Sequence, residues 1–249
     1  MLSKAKIKFI TSLKIKKQRQ QQQLFTAEGA KAIDELLSSS SLVLEIYALE
    51  SWIYSHQQLL SKTSVPCAVV DEAELKKISS LTTPHDVLAV CSIPENSYSD
   101  VTIRQELCLA LDGIHDPGNM GTIIRIADWF NIPYIFCSDD CVDPYNTKVV
   151  QASMGSIARV KVIETNLEKL FTEHSKIPVL VAVLDGENIF TMQKMNRGFL
   201  LIGSEAKGVS DNLLKFASDK LTIPQLGKAE SLNAAVATGI ICAVLKNTI

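Results

Sequence analysis

The stretch LALDGIHDPGNMGTIIRIADWF, residues 109–130, decides the fold of this chain. An apolar run at 107–111 predicts a buried strand, a turn rich in proline and glycine follows it, and apolar residues at helical spacing predict a helix over 122–130. The amides that open such a helix have no partner in the helix and can meet an anion or a polar ligand. Asn119 lies in the turn and Arg125 about one helical turn after Gly121, so both are candidates for a site. A plain strand–helix turn with a surface arginine is the alternative for this segment alone.

The same alternation continues to residue 245 and predicts a parallel sheet. Strands are expected at 134–137, 159–163, 179–184, 199–202 and 221–223. Helices are expected at 148–153, 167–174, 213–216 and 232–245. Apolar strands between helices indicate a sheet that is covered on both faces. Ligands bind such sheets at the carboxyl ends of the strands, so a ligand site is expected in the turns that follow the strands.

A smaller α/β region precedes this sheet. Its strands are expected at 42–49, 65–70 and 87–92, and its helices at 28–37, at 51–60 with Ser51 as cap, and after Asp71. The segment PENSYSD, residues 94–100, is polar and contains proline, as linkers do. We therefore predict an α/β protein with an N-terminal domain over 1–93, a linker over 94–105 and a parallel-sheet α/β domain over 106–249.

Two further strand ends carry residues suited to a site. In LLIGSEAKGVSDNLL, residues 200–214, Gly203 lets a ligand approach the backbone and Glu205 follows the strand directly. A glutamate that caps the next helix is the alternative there. In LTIPQLGKAESLNAAVATGIICAVL, residues 221–245, the proline holds Ile223 extended, and Ser231 is expected to cap the last helix. No G-x-G-x-x-G spacing occurs, which argues against a nicotinamide or flavin enzyme on a doubly wound sheet.

Positive charge is concentrated at the N-terminus, although the net charge of the 249-residue chain is −2. No acidic residue occurs before Glu28. Such a local cluster predicts a surface for an anionic partner such as RNA, with a merely solubilising terminus as the alternative. The candidate RNA-binding residues are Lys4, Lys6, Lys8, Lys14, Lys16, Lys17 and Arg19.

The cysteines predict a reduced compartment and no metal site. Several of the 6 cysteines lie in apolar runs, where a thiol behaves as a small hydrophobe. The sequence contains no C-x-x-C pair of the kind that binds zinc. The longest apolar runs are too short to cross a bilayer, and the N-terminus lacks the apolar core of a signal peptide. We expect a cytoplasmic protein without a membrane partner.

Taken in order, the three strand ends resemble the three motifs of the SpoU family of RNA 2′-O-methyltransferases. The first motif matches through Asn119, Gly121 and Arg125, and the second through Gly203, Glu205 and Gly208. The third matches through Ile223, Pro224, Ser231, Leu232 and Asn233. The region before residue 94 resembles the ribosomal-protein-like domain that many members place before the catalytic domain. Ala235 and Trp129 depart from the usual pattern at positions where no chemistry is expected.

The resemblance implies S-adenosylmethionine as the methyl donor, a trefoil knot and a homodimer. It implies that Gly203, Gly208, Ile223 and Leu232 contact the donor. It also implies a catalytic set of Asn119, Arg125, Glu205, Ser231 and Asn233, in which Arg125 activates the ribose hydroxyl or grips a phosphate. The second role is physically easier, since a guanidinium pKa of roughly 12.5–13.8 makes a poor base at neutral pH.

The expected reaction is methyl transfer to a ribose 2′-hydroxyl of RNA, with ribosomal RNA favoured over transfer RNA. A non-catalytic RNA-binding relative is the main alternative, and the joint presence of the five catalytic candidates argues against it. His115 lies beside the first motif, but a lone histidine in a turn is an ordinary feature, so it is not included in the predicted site.

Overall fold

The structure, a computed structural model, describes residues 1–39, 41–95, 97–192 and 195–246. Helices and strands alternate along most of the described chain. The elements up to residue 92 are α1 (Lys4–Ser12), α2 (Lys16–Gln22), β1 (Leu24–Glu28), α3 (Ala30–Ser39), β2 (Val43–Ala48), α4 (Glu50–Ser55), α5 (Gln57–Leu60), β3 (Cys67–Val69), α6 (Glu72–Ile78) and β4 (Val87–Ser92). The later elements are α7 (Asp100–Gln105), β5 (Leu107–Asp112), α8 (Pro117–Trp129), β6 (Tyr134–Cys137), α9 (Thr147–Ser153), β7 (Lys161–Glu164), α10 (Leu167–Glu173), β8 (Val179–Asn188), β9 (Gly198–Gly203), α11 (Asp211–Leu214), β10 (Asp219–Thr222) and α12 (Ala234–Leu245).

The chain divides into two compact units, and the division differs from the predicted domains. The first unit combines Met1–Glu95 with Asp143–Arg159, and the second combines Asn96–Val142 with Val160–Ile249. The segment that carries α9 therefore groups with the N-terminal unit, although we predicted it within the second domain. The predicted linker over 94–105 contains helix α7, which belongs to the second unit.

The first unit contains a four-stranded sheet in the order β1-β4-β2-β3. Strand β4 pairs antiparallel with β1 and with β2, and β3 is parallel to β2. The basic terminus is part of this unit, because Ile10 and Leu13 are fully buried beside Leu75 and Ile78. Burial of each of these side chains contributes about 1.5–3 kcal/mol to stability. This apolar packing holds the basic helix α1 in the unit, although the helix has no acidic residue to balance its lysines.

The second unit contains a six-stranded parallel sheet in the order β10-β8-β9-β5-β6-β7. The fold class that the sequence predicted, a parallel-sheet α/β domain preceded by a smaller α/β domain, is confirmed. Phe136, Phe171 and Phe199 are fully buried in the core of this unit. Strands β9 and β5 are central, so the loops that follow them open at the middle of the carboxyl edge.

Helix α8 begins five residues earlier than we predicted. Pro117 occupies its first turn, and the Asp116 side chain caps it by accepting a hydrogen bond from the amide of Asn119 at 2.8 Å. Proline suits the first turn because its φ is already helical and its missing N–H is not needed there. Asn119 therefore lies within the first helical turn and not in a flexible turn before the helix.

The start of α12 was also predicted wrongly. Asn233 is the N-cap, and its Oδ1 accepts hydrogen bonds from the amides of Ala235 and Val236 at 3.0 and 3.2 Å. Ser231 lies two residues before the cap and is exposed. Since asparagine and serine are comparable caps, the sequence alone did not separate them.

Candidate active site

The candidate site lies at the carboxyl edge of the six-stranded sheet, in the second unit. A cavity of about 720 Å³ opens there between the ends of β8, β9 and β10 and helix α12. Its volume falls within the usual range of roughly 300–1,000 Å³ for ligand sites. The four residues predicted to contact a methyl donor all line it: Gly203, Gly208, Ile223 and Leu232.

Two glycines shape the wall of this cavity at the end of β9. A Cβ on Gly203 would lie 2.1 Å from the carbonyl carbon of Gly208, closer than any side chain allows. Gly208 has φ +67°, a conformation that strains other residues, and its amide donates to the Ser204 carbonyl at 2.8 Å. The turn that contains Glu205 therefore folds back on itself directly after β9.

Three of the predicted catalytic residues form one hydrogen-bonded network beside the cavity. Asn119 Nδ2 donates to Glu205 Oε1, and Asn233 Nδ2 donates to Asn119 Oδ1 at 2.8 Å. The amide nitrogen of Asn119 is thus bonded to the second motif, and its amide oxygen is bonded to the third. Residues more than 80 positions apart in the sequence meet at this point.

The other two predicted catalytic residues stand outside that network. Arg125 is exposed on α8 and has no hydrogen bond or ion pair within the part of the chain that the structure describes. Ser231 is exposed and lines the cavity. Both side chains are free to meet a substrate.

Sequence reasoning missed several side chains that hold the site in place. Asp112, the last residue of β5, accepts a hydrogen bond from the Ser210 amide at 2.7 Å and so fixes the end of the β9 loop. Asp116 caps the helix that carries Asn119. An aspartate directly after a buried strand was the available signal for Asp112.

A second group of polar residues lies next to these loops. Ser138 Oγ accepts a hydrogen bond from the Gly113 amide at 3.0 Å and donates to Asp140 Oδ1 at 2.5 Å. Cys141 Sγ accepts from the Ile114 amide at 3.2 Å. A hydrogen bond from Cys137 lowers the pKa of the Cys141 thiol to about 7, against the opposing effect of burial. The loop after β6 is thereby held against the loop after β5.

The seven basic residues of the N-terminus differ in what the structure does with them. Arg19 is buried: its guanidinium contacts Asp143 Oδ2 through Nε at 2.9 Å and Nη2 at 2.5 Å, and donates to the Leu13 carbonyl at 2.7 Å. Lys6 pairs with Glu45 at 2.9 Å, and Lys14 donates to the Ser79 carbonyl at 2.7 Å. Lys16 is half-buried and has a partner within the protein.

Lys4, Lys8 and Lys17 are exposed, and each lacks a hydrogen-bond or ion-pair partner among the described residues. Arg19 is therefore a structural residue of the first unit, in contrast to its predicted role, and the solvent-facing charge belongs to the lysines.

Within the described residues, no group of three or more His, Cys, Asp or Glu side chains is placed to hold a metal ion. The described helices also include none that is long and apolar enough to cross a membrane.

The fold and the site define a parallel-sheet α/β protein in which the start of α8, the loop after β9 and the N-cap of α12 carry the asparagine, glutamate and asparagine of the SpoU motifs beside a cavity. Residues 106–243 match the SpoU rRNA Methylase family, and residues 4–89 match the MRM3-like substrate binding domain. The chain belongs to the SpoU rRNA methylase family and is an RNA methyltransferase of that class.

Similar proteins align along nearly the full chain. The 23S rRNA (guanosine(2553)-2′-O)-methyltransferase RlmP of Bacillus subtilis is 31% identical over 95% of this chain and 94% of its own length. A solved structure of a TrmH-family protein from Porphyromonas gingivalis is 34% identical, covers 98% of both chains and gives a TM-score of 0.85. The AdoMet-bound rRNA methyltransferase of Sinorhizobium meliloti is 28% identical, covers 99% of this chain and 96% of its own, and gives a TM-score of 0.84.

Proposed function

We propose that this protein transfers the methyl group of S-adenosylmethionine to a ribose 2′-hydroxyl of ribosomal RNA. The observation that carries the proposal is the meeting of Asn119, Glu205 and Asn233 beside a cavity of about 720 Å³. The relatives support it, since RlmP is named as a 23S rRNA 2′-O-methyltransferase and the Sinorhizobium meliloti protein was solved with AdoMet bound.

The cavity fits S-adenosylmethionine in both size and lining. Ile223 and Leu232 offer apolar surface for an adenine ring, and Gly203 and Gly208 leave the backbone open to polar groups of the ligand. When bound, S-adenosylmethionine supplies an electrophilic methyl group on a sulfonium. We place Gly203, Gly208, Ile223 and Leu232 as its contacts.

The hydrogen-bonded residues orient the groups that meet the ribose. Glu205 and Asn233 fix the Asn119 amide from two sides, so its position is set before substrate arrives, and this lowers the entropic cost of alignment. Arg125 contacts a phosphate of the RNA, for which a planar guanidinium with several N–H donors is well suited. Ser231, at the rim of the cavity, contacts the target nucleotide.

The first unit binds the RNA around the target through its exposed lysines. Lys4 and Lys8 lie on α1 and Lys17 on α2, and all three point to solvent. Lysine–phosphate contacts release counterions, so affinity falls with salt in proportion to the number of contacts. Replacement of the three lysines by alanine is expected to weaken RNA binding and to flatten its salt dependence, with unchanged binding of S-adenosylmethionine.

We further propose a homodimer formed by α8 and α12. These helices pack together, and Trp129 and Val236 on them are 84% and 51% exposed. Large apolar side chains that stay exposed on helices are candidates for an interaction surface. Arg125 is exposed one turn before Trp129 on α8, so the same surface would bring a partner to the site.

The knot and the compartment also belong to the proposal. A trefoil knot formed by the C-terminal segment is supported by the match of residues 106–243 to the SpoU family. A reducing cytoplasmic location is supported by the substrate class and by the free thiols of all six cysteines, five of them buried.

The reaction is tested with methyl-labelled S-adenosylmethionine and total RNA from a strain that lacks the gene. Label is expected in the large ribosomal RNA and not in the transfer RNA fraction. Label in transfer RNA alone would contradict the proposed substrate. Absence of both transfer and calorimetric binding of S-adenosylmethionine would contradict the proposed reaction.

A further inference from the structure

We propose that Cys137 and Cys141 form a modification site, at which hydrogen peroxide joins the two thiols in a disulfide that slows methyl transfer. The formation of the disulfide is independent of the proposed function, whereas its effect on methyl transfer rests on that function. In a reducing compartment such a bond is transient, as redox-sensing disulfides are.

A tight turn directly after β6 brings the two thiols together. The Cys141 amide donates to the Ser138 carbonyl at 3.1 Å, so the chain reverses between these residues. Cys141 Sγ lies 3.4 Å from Ser138 Oγ, and the Cys137 thiol donates a hydrogen bond to Cys141. A disulfide needs two Cα atoms within about 7 Å of each other, which a tight turn of this kind allows.

The carbonyl oxygen of Leu111, on β5, fixes both ends of this turn. It accepts hydrogen bonds from the Ser138 amide at 3.0 Å and from Cys141 Sγ at 3.5 Å. Ser138 directly follows Cys137, so a single oxygen atom holds the sulfur of Cys141 beside the neighbour of the other cysteine. The sheet itself therefore keeps the two cysteines close.

Cys141 is the thiol that attacks the peroxide. Its sulfur accepts a hydrogen bond from the Ile114 amide at 3.2 Å, and it is 7% exposed, whereas Cys137 is fully buried. The hydrogen bond from Cys137 lowers the pKa of the Cys141 thiol to about 7, against the opposing effects of burial and of the Asp140 carboxylate. Because the thiolate is the reactive form, Cys141 is partly activated at neutral pH.

The cysteines outside this pair are held in the less reactive thiol form. Burial raises the pKa of Cys108 and of Cys242 to about 12, and it also raises the pKa of Cys91 and of Cys67. Cys67 is the most accessible of the six, since it is half-buried and the others are buried. Accessibility alone would direct peroxide to Cys67, whereas hydrogen bonding directs it to Cys141.

The reaction balances with hydrogen peroxide as the only oxidant. The Cys141 thiolate forms a bond to one peroxide oxygen, the O–O bond breaks, and the hydroxide that leaves takes up a proton to become water. The Cys137 sulfur then attacks the sulfur of the Cys141 sulfenic acid. The S–O bond breaks, the hydroxyl leaves as water with the Cys137 proton, and the disulfide remains. Two thiols are oxidised and one peroxide is reduced to two molecules of water.

The disulfide displaces Cys141 rather than Cys137. Cys137 is the last residue of β6, and its carbonyl accepts a hydrogen bond from the Thr165 amide at 2.9 Å, so the sheet holds it. Cys141 lies in the loop, and its sulfur must turn toward Cys137 to form the bond. The Ile114 amide then loses the sulfur as its hydrogen-bond acceptor.

The loop after β5 carries this displacement to the site. Ile114 is bonded to the β6 loop twice, because its amide donates to Cys141 and its carbonyl accepts from the Val142 amide at 2.8 Å. Two residues later Asp116 caps α8, and Asn119 is the third residue of that helix. A shift of Ile114 therefore moves the start of α8 and misaligns the Asn119 amide.

The mass of one peptide tests the modification. Trypsin releases residues 126–148 as a peptide that contains Cys137 and Cys141 and no other cysteine. The reduced protein is treated with hydrogen peroxide, and its free thiols are then alkylated. We expect this peptide to lose two hydrogen atoms and to carry no alkyl group, while Cys67 is alkylated. Alkylation of both Cys137 and Cys141, with Cys67 oxidised, would overturn the proposal.

Single-turnover methyl transfer to ribosomal RNA tests the consequence. Peroxide is expected to lower the wild-type rate by about 10²-fold, the effect of a misplacement of roughly 1 Å, and dithiothreitol to restore it. Cys141→Ser should keep the untreated rate and resist peroxide. Cys137→Ala should oxidise more slowly and leave Cys141 as a sulfenic acid that dimedone traps. Cys67→Ser is the matched control and should respond to peroxide as the wild type does.

The outcomes separate this inference from the proposed function. A disulfide that leaves the rate of methyl transfer unchanged would contradict its effect on the site, and a peroxide effect that persists in Cys141→Ser would contradict the choice of this pair. A disulfide in a wild type that transfers no methyl group even when reduced would support the modification site and contradict the proposed function. The wild-type peptide mass decides the modification site even if a variant fails to fold.

Discussion

At the scale of single residues, Asn119 is the position on which the site depends. Its amide nitrogen donates to Glu205 and its amide oxygen accepts from Asn233. Asn119→Asp replaces the donor by an oxygen, which sets a negative charge against the Glu205 carboxylate. We expect the methyl-transfer rate to fall by at least about 10²-fold, as for other groups that align reactants, while S-adenosylmethionine binding changes little.

Asn212→Asp is the matched control for that variant. Asn212 Nδ2 also donates to a glutamate, Glu168 Oε1, at 2.5 Å, but both side chains are exposed and neither lines the cavity. Its methyl-transfer rate should equal that of the wild type. Equal rates for Asn119→Asp and Asn212→Asp would contradict the importance of the network.

Gly203 tests the shape of the cavity wall. A Cβ there would lie 2.1 Å from the Gly208 carbonyl carbon, so Gly203→Ala must displace backbone. Overpacking of this kind costs about 1–3 kcal/mol, which corresponds to a fall of several degrees in Tm, and S-adenosylmethionine affinity should fall with it. Gly227→Ala, in the same cavity lining but with no atom within 4 Å of the added Cβ, should leave both unchanged.

Sequence alone could find the network residues but not their contacts. Motif order pointed to Asn119, Glu205 and Asn233, because each follows or precedes a recognisable strand or helix. It could not show that Asn119 bonds to the other two while Arg125 and Ser231 stay free, since that depends on side-chain positions set by three separate loops.

At the scale of elements, α2 is joined to the segment before α9 by the buried pair of Arg19 and Asp143. Removal of one partner leaves a buried charge without compensation, which costs about 3–5 kcal/mol. Arg19→Ala should therefore lower the free energy of unfolding by that amount in urea titrations. Lys17→Ala, on the exposed side of the same helix, should leave stability unchanged and weaken RNA binding.

A stable Arg19→Ala variant with reduced RNA affinity would contradict this assignment and restore the predicted RNA-binding role of Arg19. Composition did not separate Arg19 from the lysines, because burial of a cation depends on a carboxylate 124 positions away.

The proposed homodimer can be tested at Trp129 on helix α8. Trp129 is 84% exposed, so a charged residue there costs little in the folded protomer but is expected to disrupt an apolar interface. Sedimentation velocity should show a dimer for the wild type and a monomer for Trp129→Glu, with the same circular dichroism. An exposed site outside this surface, Tyr54→Glu, is the control and should stay dimeric. A monomeric wild type at micromolar concentration would contradict the proposed dimer.

Element boundaries were predicted well where apolar runs were long, as for β5 and β4, and where apolar residues recurred at helical spacing, as for α10. They were wrong where capping decided the start, as at Pro117 and Asn233. Strand β1 was not predicted, because LFTAE follows a glutamine-rich segment and has no clear alternation, and its burial comes from pairing with β4 far along the chain.

At the scale of the whole molecule, the fold class followed from the sequence, but the division into units did not. Asp143–Arg159 lies between strands of the parallel sheet in sequence and groups with the N-terminal unit in space. Contacts such as Arg159 with Glu35 at 2.8 Å join residues 124 positions apart, which no local pattern encodes. The unit proposed to bind RNA therefore contains a segment from within the catalytic region.

The methylated nucleoside itself shows most directly whether the methyl group is transferred to a ribose oxygen. Ribosomal RNA is treated with the protein and S-adenosylmethionine carrying a deuterated methyl group, digested to nucleosides and fragmented in a mass spectrometer. We predict that the deuterated methyl group stays with the ribose fragment of one nucleoside, and that Asn119→Asp abolishes this signal. A deuterated methyl group on the base fragment would contradict the account.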